Sequence, residues 1–117
     1  MNNLTEKLND LNQLVLEGKM LEAFDKYYHD DVYMQDNTLP PTIGKAANRQ
    51  REEAFLDNIT EFRGAEVLSL GAGEDVSYVE WKYDYTHKDW GVRNYTQISK
   101  QHWKDGKIIK EQFFYGN

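Results

Sequence analysis

Apolar side chains at Leu4, Leu8, Leu11 and Val15 recur at spacings of three and four, which predicts an amphipathic helix over residues 4–17. Asn3 with Glu6 outlines a capping box at its start, and Gly18 supplies a stop. A second helix over 19–28 places Met20, Ala23, Phe24 and Tyr27 on its buried side. Asp30-Asp31 reads as a turn into a short strand, 32–36, with Val32, Met34 and Asp36 on one face and Tyr33 and Gln35 on the other. Pro40-Pro41 cannot continue a sheet, and Thr42 or Gly44 can cap a third helix over 45–58. Ala47, Ala54, Phe55 and Ile59 are the apolar positions of that helix. Arg51 lies four residues from both Ala47 and Phe55, in the middle of the face that should look inward.

After Gly64 the period changes to two. Strands are predicted at 61–71, 76–87, 92–104 and 107–115, with turns at Gly71–Asp75, Lys88–Gly91 and Asp105-Gly106. Short connections favour an antiparallel meander. Three helices, one early strand and four late ones make an α+β pattern. The expected architecture is a cone-shaped, curved sheet of about five strands wrapped around the helices and enclosing a cavity.

Alternation then assigns faces. On the strand 76–87, Val79, Trp81, Tyr83 and Tyr85 share the less polar face, so they should meet the helices. On the next strand the choice between Tyr95, Gln97, Ser99, Gln101 and Trp103 and the opposite set Thr96, Ile98, Lys100 and His102 stays open, and on the last Ile109, Glu111, Phe113 and Tyr115 alternate with Ile108, Lys110, Gln112 and Phe114. The last strand is half apolar on both faces. A domain this small would cover its second face with another subunit, so a homodimer through the outer sheet face is expected.

Composition narrows the classes. The chain has 117 residues, read as one domain over 1–117, and carries a net charge of −6. Phosphate-held nucleic acid and anionic membrane surfaces are poor partners for such a chain. There is no cysteine, so thiol chemistry and Cys-ligated metals are excluded. The three histidines have no ligand spacing, and no metal or other cofactor is expected. No apolar run approaches the ~20 residues of a membrane span, and the first residues lack the pattern of a signal peptide, which makes a cytoplasmic location the expectation. Aromatics are 14% of the chain and suit an aromatic-lined cavity.

The order helix–helix–strand–helix–meander, a carboxylate closing the first strand, and Asp105-Gly106-Lys107-Ile108 opening the last resembles the SnoaL-like branch of the nuclear-transport-factor-2-like superfamily. That superfamily includes ketosteroid isomerases, polyketide cyclases, scytalone dehydratase and limonene-epoxide hydrolase. Asp36 after Asp30-Asp31 matches the position of the isomerase's general base. Where the isomerase has an oxyanion-hole tyrosine on the first helix, this chain has Leu11 or a neighbour. Leu39-Pro40-Pro41…Gly44 and Tyr78…Glu80 are similar to stretches of the epoxide hydrolase, whose water-activating and charged residues fall here at Met34, Asp36, Trp81, Tyr83 and Phe113 and are not retained.

The resemblance implies a small hydrophobic or aromatic ligand in the cavity, with isomerase, cyclase or hydrolase chemistry and Asp36 as general base. Met34, Arg51, Trp81, Tyr83, Tyr85, Tyr95, Gln97, Glu111, Phe113 and Tyr115 are the candidate ligand-binding residues. The competing reading is a non-catalytic ligand-binding or dimeric interaction module. Asp36 also has two other readings: a strand-end Asx turn, or an ion-pair partner of Arg51. His87, at the end of its strand, reads as an exposed turn histidine or a residue at the cavity mouth.

Overall fold

A computed structural model describes residues 3–116. Helices α1 (Asn3–Leu16) and α2 (Met20–Tyr27) lead into strand β1 (Tyr28–Asp36), a two-residue strand β2 (Thr42–Ile43) and helix α3 (Lys45–Asp57). Strands β3 (Ile59–Ala72), β4 (Val76–His87), β5 (Gly91–Lys104) and β6 (Lys107–Tyr115) follow. They form one curved, open, mixed sheet in the order β2-β1-β6-β5-β4-β3. The α+β class is as expected, with six strands rather than about five. The sixth is β2, too short for a periodic signal.

Helix α1 buries Leu4, Leu8, Leu11 and Leu14, and Val15 packs against them. It ends in a Schellman motif at Gly18 (φ 80°), where the Lys19 N–H donates to the Leu14 carbonyl at 2.8 Å and the Gly18 N–H to that of Val15 at 3.0 Å. The capping box expected of Asn3 with Glu6 rests on the Asn3 side chain, which lies outside the described residues.

Strand β1 starts four residues earlier than its pattern predicts. Asp30-Asp31 is not a turn but an exposed stretch of strand, lodged where the β1–β6 register is interrupted between Tyr28 and Tyr33. β1 runs parallel to β6, pairing Met34 with Glu111 and Asp36 with Phe113. The three hairpins β3–β4–β5–β6 are antiparallel. Asp105 and Gly106 both adopt positive φ, as a two-residue turn between Lys104 and Lys107 requires.

The inward faces follow the predicted alternation on β4 and β5. Ser77, Val79, Trp81, Tyr85 and His87 are buried on β4, and Gln97, Ser99, Gln101 and Trp103 on β5. On β6 the phase slips. The register skips a residue between His102 and Trp103, so Ile108 rather than Ile109 is buried alongside Glu111. Helix α3 is also rotated from its expected face. Asn48 is its buried position and Ala54 is exposed, so Glu52 and Phe55 continue the inward stripe. The Asn48 amide fixes this by donating to the carbonyls of Val32, Thr42 and Gly44 at 3.3, 3.0 and 2.8 Å.

Candidate functional site

The inner face of the sheet and the helices leave a half-open pocket of about 70 Å3. Its apolar wall comes from Leu11, Val15, Met20, Phe24, Met34, Trp81 and Phe113, and its polar points are Asn12, Tyr28, Glu52, Tyr83, Gln97, Ser99, Gln101 and Glu111. Of the candidate residues, Met34, Trp81, Tyr83, Gln97, Glu111 and Phe113 come together here. Asp36, Arg51, Tyr85, Tyr95 and Tyr115 do not line this space.

Glu111 is almost fully buried. Its carboxylate accepts from the Tyr28 hydroxyl and, at 2.9 Å, from Gln101 Nε2. Gln101 is held in turn by Ser77 Oγ, which donates to its Oε1 at 2.6 Å, and Ser77 accepts from Trp103 Nε1 at 2.9 Å. An indole N–H can only donate, so it sets the direction of every bond in this chain. The Gln101 amide must therefore present its NH2 to Glu111. Burial pushes the Glu111 carboxyl up to about 7, against the pull of Tyr28 and Gln101. Glu52, half-buried on α3, is also raised to about 7. Burial is the main cause, the charge of Glu111 adds to it, and Arg51 opposes it. Two carboxyl groups that line one pocket are thus both raised toward neutrality, mainly by burial.

Three groups in the pocket have unused hydrogen-bonding capacity. The Asn12 Nδ2 is buried without a partner. The Glu52 carboxylate and the Tyr83 hydroxyl make no hydrogen bond among the described residues. Burial, reinforced by neighbouring tyrosines and by Glu111, lifts Tyr83 well above the ordinary phenol range, so its hydroxyl stays a neutral donor. Asn12, Glu52 and the Tyr28–Gln101 pair did not stand out in the sequence. Tyr28 fell at the end of the expected second helix. Glu52 lay within the charged run Arg49–Glu53, where only its spacing of four from Asn48 and three from Phe55 marks it as inward.

A second cluster forms at the end of the sheet where β1, β4 and β6 finish and β5 begins. Asp36 pairs there with Arg51. The Tyr85 and Tyr95 hydroxyls lie 3.0 Å apart, and the Tyr95 ring contacts that of Tyr115 at 5.7 Å. His87 is buried rather than an exposed turn residue. It stacks on Trp90 at 3.8 Å, accepts the Asp89 N–H at 3.1 Å and faces the Phe55 ring. Among the described residues no group of three or more His, Asp or Glu side chains is placed to hold a metal ion.

The model of the SnoaL-like domain matches residues 3–115. The chain belongs to the SnoaL-like family. This SnoaL-like chain is similar to a candidate SnoaL-like polyketide cyclase from Mesorhizobium loti, at 27% identity and a TM-score of 0.85, over 96% of this chain and 98% of that one. An NTF2-like protein of unknown function from Burkholderia pseudomallei shares the fold at 10% identity, TM-score 0.83, over 99% and 92% of the two chains. So does a Catenulispora acidiphila protein with a ketosteroid isomerase-like fold, in complex with trimethylamine, at 12% identity and TM-score 0.69 over 82% and 75%. No curated protein sequence matches the chain.

Proposed function

We propose that this SnoaL-like protein binds a small carbonyl compound in this pocket and moves a proton on the carbon beside the carbonyl, as an isomerase or cyclase does. The reading rests on the place of Glu52 and Glu111, two carboxyls lining the same largely apolar pocket, and burial raises each to about 7. Such a pair holds a proton on one member and a charge on the other at neutral pH. Glu52 is the base, because its carboxylate is free while both Glu111 oxygens are engaged. The proton passes from carbon to Glu52, and the C–H electron pair moves onto the carbonyl oxygen. Asn12 Nδ2 and the Tyr83 hydroxyl are the free donors for that oxygen. Return of the proton to the same or a conjugated carbon gives exchange or isomerisation.

Asp36, the base that the ketosteroid isomerase resemblance suggests, is the alternative. Its pairing with Arg51 and its position off the pocket lining favour Glu52 over it. The test is deuterium incorporation into small cyclic ketones, followed by NMR. Exchange is expected to fall at least about tenfold in Glu52→Gln and to survive in Asp36→Asn. Loss in Asp36→Asn alone would transfer the role to Asp36.

The size of the pocket favours a second, non-catalytic reading. The pocket of about 70 Å3 is smaller than the roughly 300–1,000 Å3 of ordinary ligand sites. A ligand of more than a few atoms enters only if side chains such as Met20 or Phe113 swing aside. A binding or interaction module is then the function, and absence of exchange in the wild type, with ligand still bound, would establish it. In either reading the protein pairs through its outer sheet face. The exposure of Tyr78, Ile98 and Phe114 on that face supports the homodimer.

A further inference from the structure

Arg93 is the charged group that neither the fold nor the pocket accounts for. It stands near the start of β5, paired with Tyr85 of β4 and on the same face as Tyr95 and Gln97. Its guanidinium carbon lies 4.8 Å from the centre of the Tyr95 ring. Its Nε is buried without a hydrogen-bond partner. Among the described residues no carboxylate is within ion-pair distance of it. Arg49, Arg51 and Arg63, by contrast, each have at least one.

The surroundings supply the rest of a binding site. The Tyr115 ring packs against that of Tyr95 with the centroids 5.7 Å apart, so Arg93, Tyr85 and Tyr115 all meet around Tyr95. The Tyr115 hydroxyl makes no hydrogen bond among the described residues, and burial keeps it protonated by raising it above the ordinary phenol range. Of the two hydroxyls of Tyr85 and Tyr95, one donates to the other, and the acceptor keeps its own proton to give away. Asp36, at the same end of the sheet, has its charge matched by Arg51. The balance is therefore one uncompensated guanidinium, ringed by phenol donors and aromatic faces. A planar oxyanion can accept from two N–H groups of the guanidinium fork together.

We propose that Arg93, with the Tyr115 hydroxyl and the free hydroxyl of the Tyr85–Tyr95 pair, forms a binding site for the oxyanion of an aromatic or flat ligand. A carboxylate fits the planar fork best, and a phosphate monoester shares the chemistry. This site is separate from the Glu52–Glu111 pocket and does not depend on proton transfer there.

The test is NMR titration of the whole protein with benzoate, with isosteric but uncharged benzamide, and with phenyl phosphate, at constant ionic strength. The Arg93 Nε–H resonance is the readout. Benzoate is expected to shift it and to bind about tenfold or more tightly than benzamide, a difference that Arg93→Gln abolishes. Arg93→Lys, which keeps the charge and stem, should retain part of the preference and covers the case in which the glutamine variant does not fold. Glu111→Gln should bind benzoate as the wild type does, which separates this site from the pocket. Binding of phenyl phosphate without benzoate would support the site and assign the oxyanion to phosphate. Equal affinity for benzoate and benzamide, or an Arg93 resonance that chloride moves as far as benzoate does, would overturn the proposal.

Discussion

Replacing Glu111 with glutamine should change how stability depends on pH, and the sign is opposite to that of most carboxylates. The Glu111 carboxyl has an ordinary value of 4.5 and is pushed to about 7 in the folded chain. Between those two pH values the folded protein keeps a proton that the unfolded chain has released. The folded state is thus favoured at the acidic end, and stability falls as pH rises through the window. At about 1.4 kcal/mol per pH unit, the loss for this one buried group is on the order of 3 kcal/mol. Glu111→Gln removes the titration without stranding a partner. Its oxygen can accept from Gln101 and its NH2 can donate to the Tyr28 hydroxyl, which accepts as well as donates. Urea unfolding followed by the fluorescence of buried Trp81 and Trp103 measures this, at several pH values between 4.5 and 8. The variant should gain on the wild type by on the order of 3 kcal/mol across that range. The other ionisable groups largely cancel in the difference, apart from Glu52, which loses the repulsion that Glu111 adds and so reinforces the trend. Parallel profiles for the two proteins would refute the claim that Glu111 holds its proton on folding.

Ser77→Ala should cost about 1–3 kcal/mol in urea unfolding, because it leaves the Trp103 N–H and Gln101 Oε1 buried without partners. Gly44→Ala should cost about 1–3 kcal/mol in the same assay. No atom lies within 4 Å of a Cβ added there, so the whole effect comes from a backbone at φ 96°, ψ 146°, and a neutral result would contradict it. In sedimentation the wild type should run as a dimer, and Ile98→Lys, in the middle of the outer apolar row, should shift it toward monomer. A wild-type monomer would remove the outer face as an interface.

The legible part of the structure was the part governed by short periods. Alternation alone put Val79, Trp81 and Tyr85 on the inner face, because a strand turns its side chains over at every residue, whereas on β5 and β6 two half-apolar faces left the choice open. What it could not give was the partner of each strand. The parallel pairing of β1 with β6 joins residues far apart in the chain, so neither the length of β1 nor the meeting of Tyr28 with Glu111 had a local signal. Asp30-Asp31 looked like a turn because aspartate is rare in strands, yet a register break leaves both exposed. On α3 a rotation of one position decided the outcome. Three backbone bonds to Asn48 turned Glu52 toward the pocket, and no apolar pattern records them. The ion pair of Arg51 with Asp36 was one of the open readings of Asp36, and it is the one seen.

The place of β6 in the sheet bears on how the protein is made. It leaves the ribosome after the other five strands of this sheet, yet it lies between β1 and β5. Without it the strands can pair only as two separate pieces, β2-β1 and β5-β4-β3, with no ladder joining them. The nascent chain therefore carries an open seam, with the unpaired edges of β1 and β5 free to take up a strand from another chain. Closing that seam delivers Glu111, so the carboxylate pair comes into being in the same step that makes the sheet continuous.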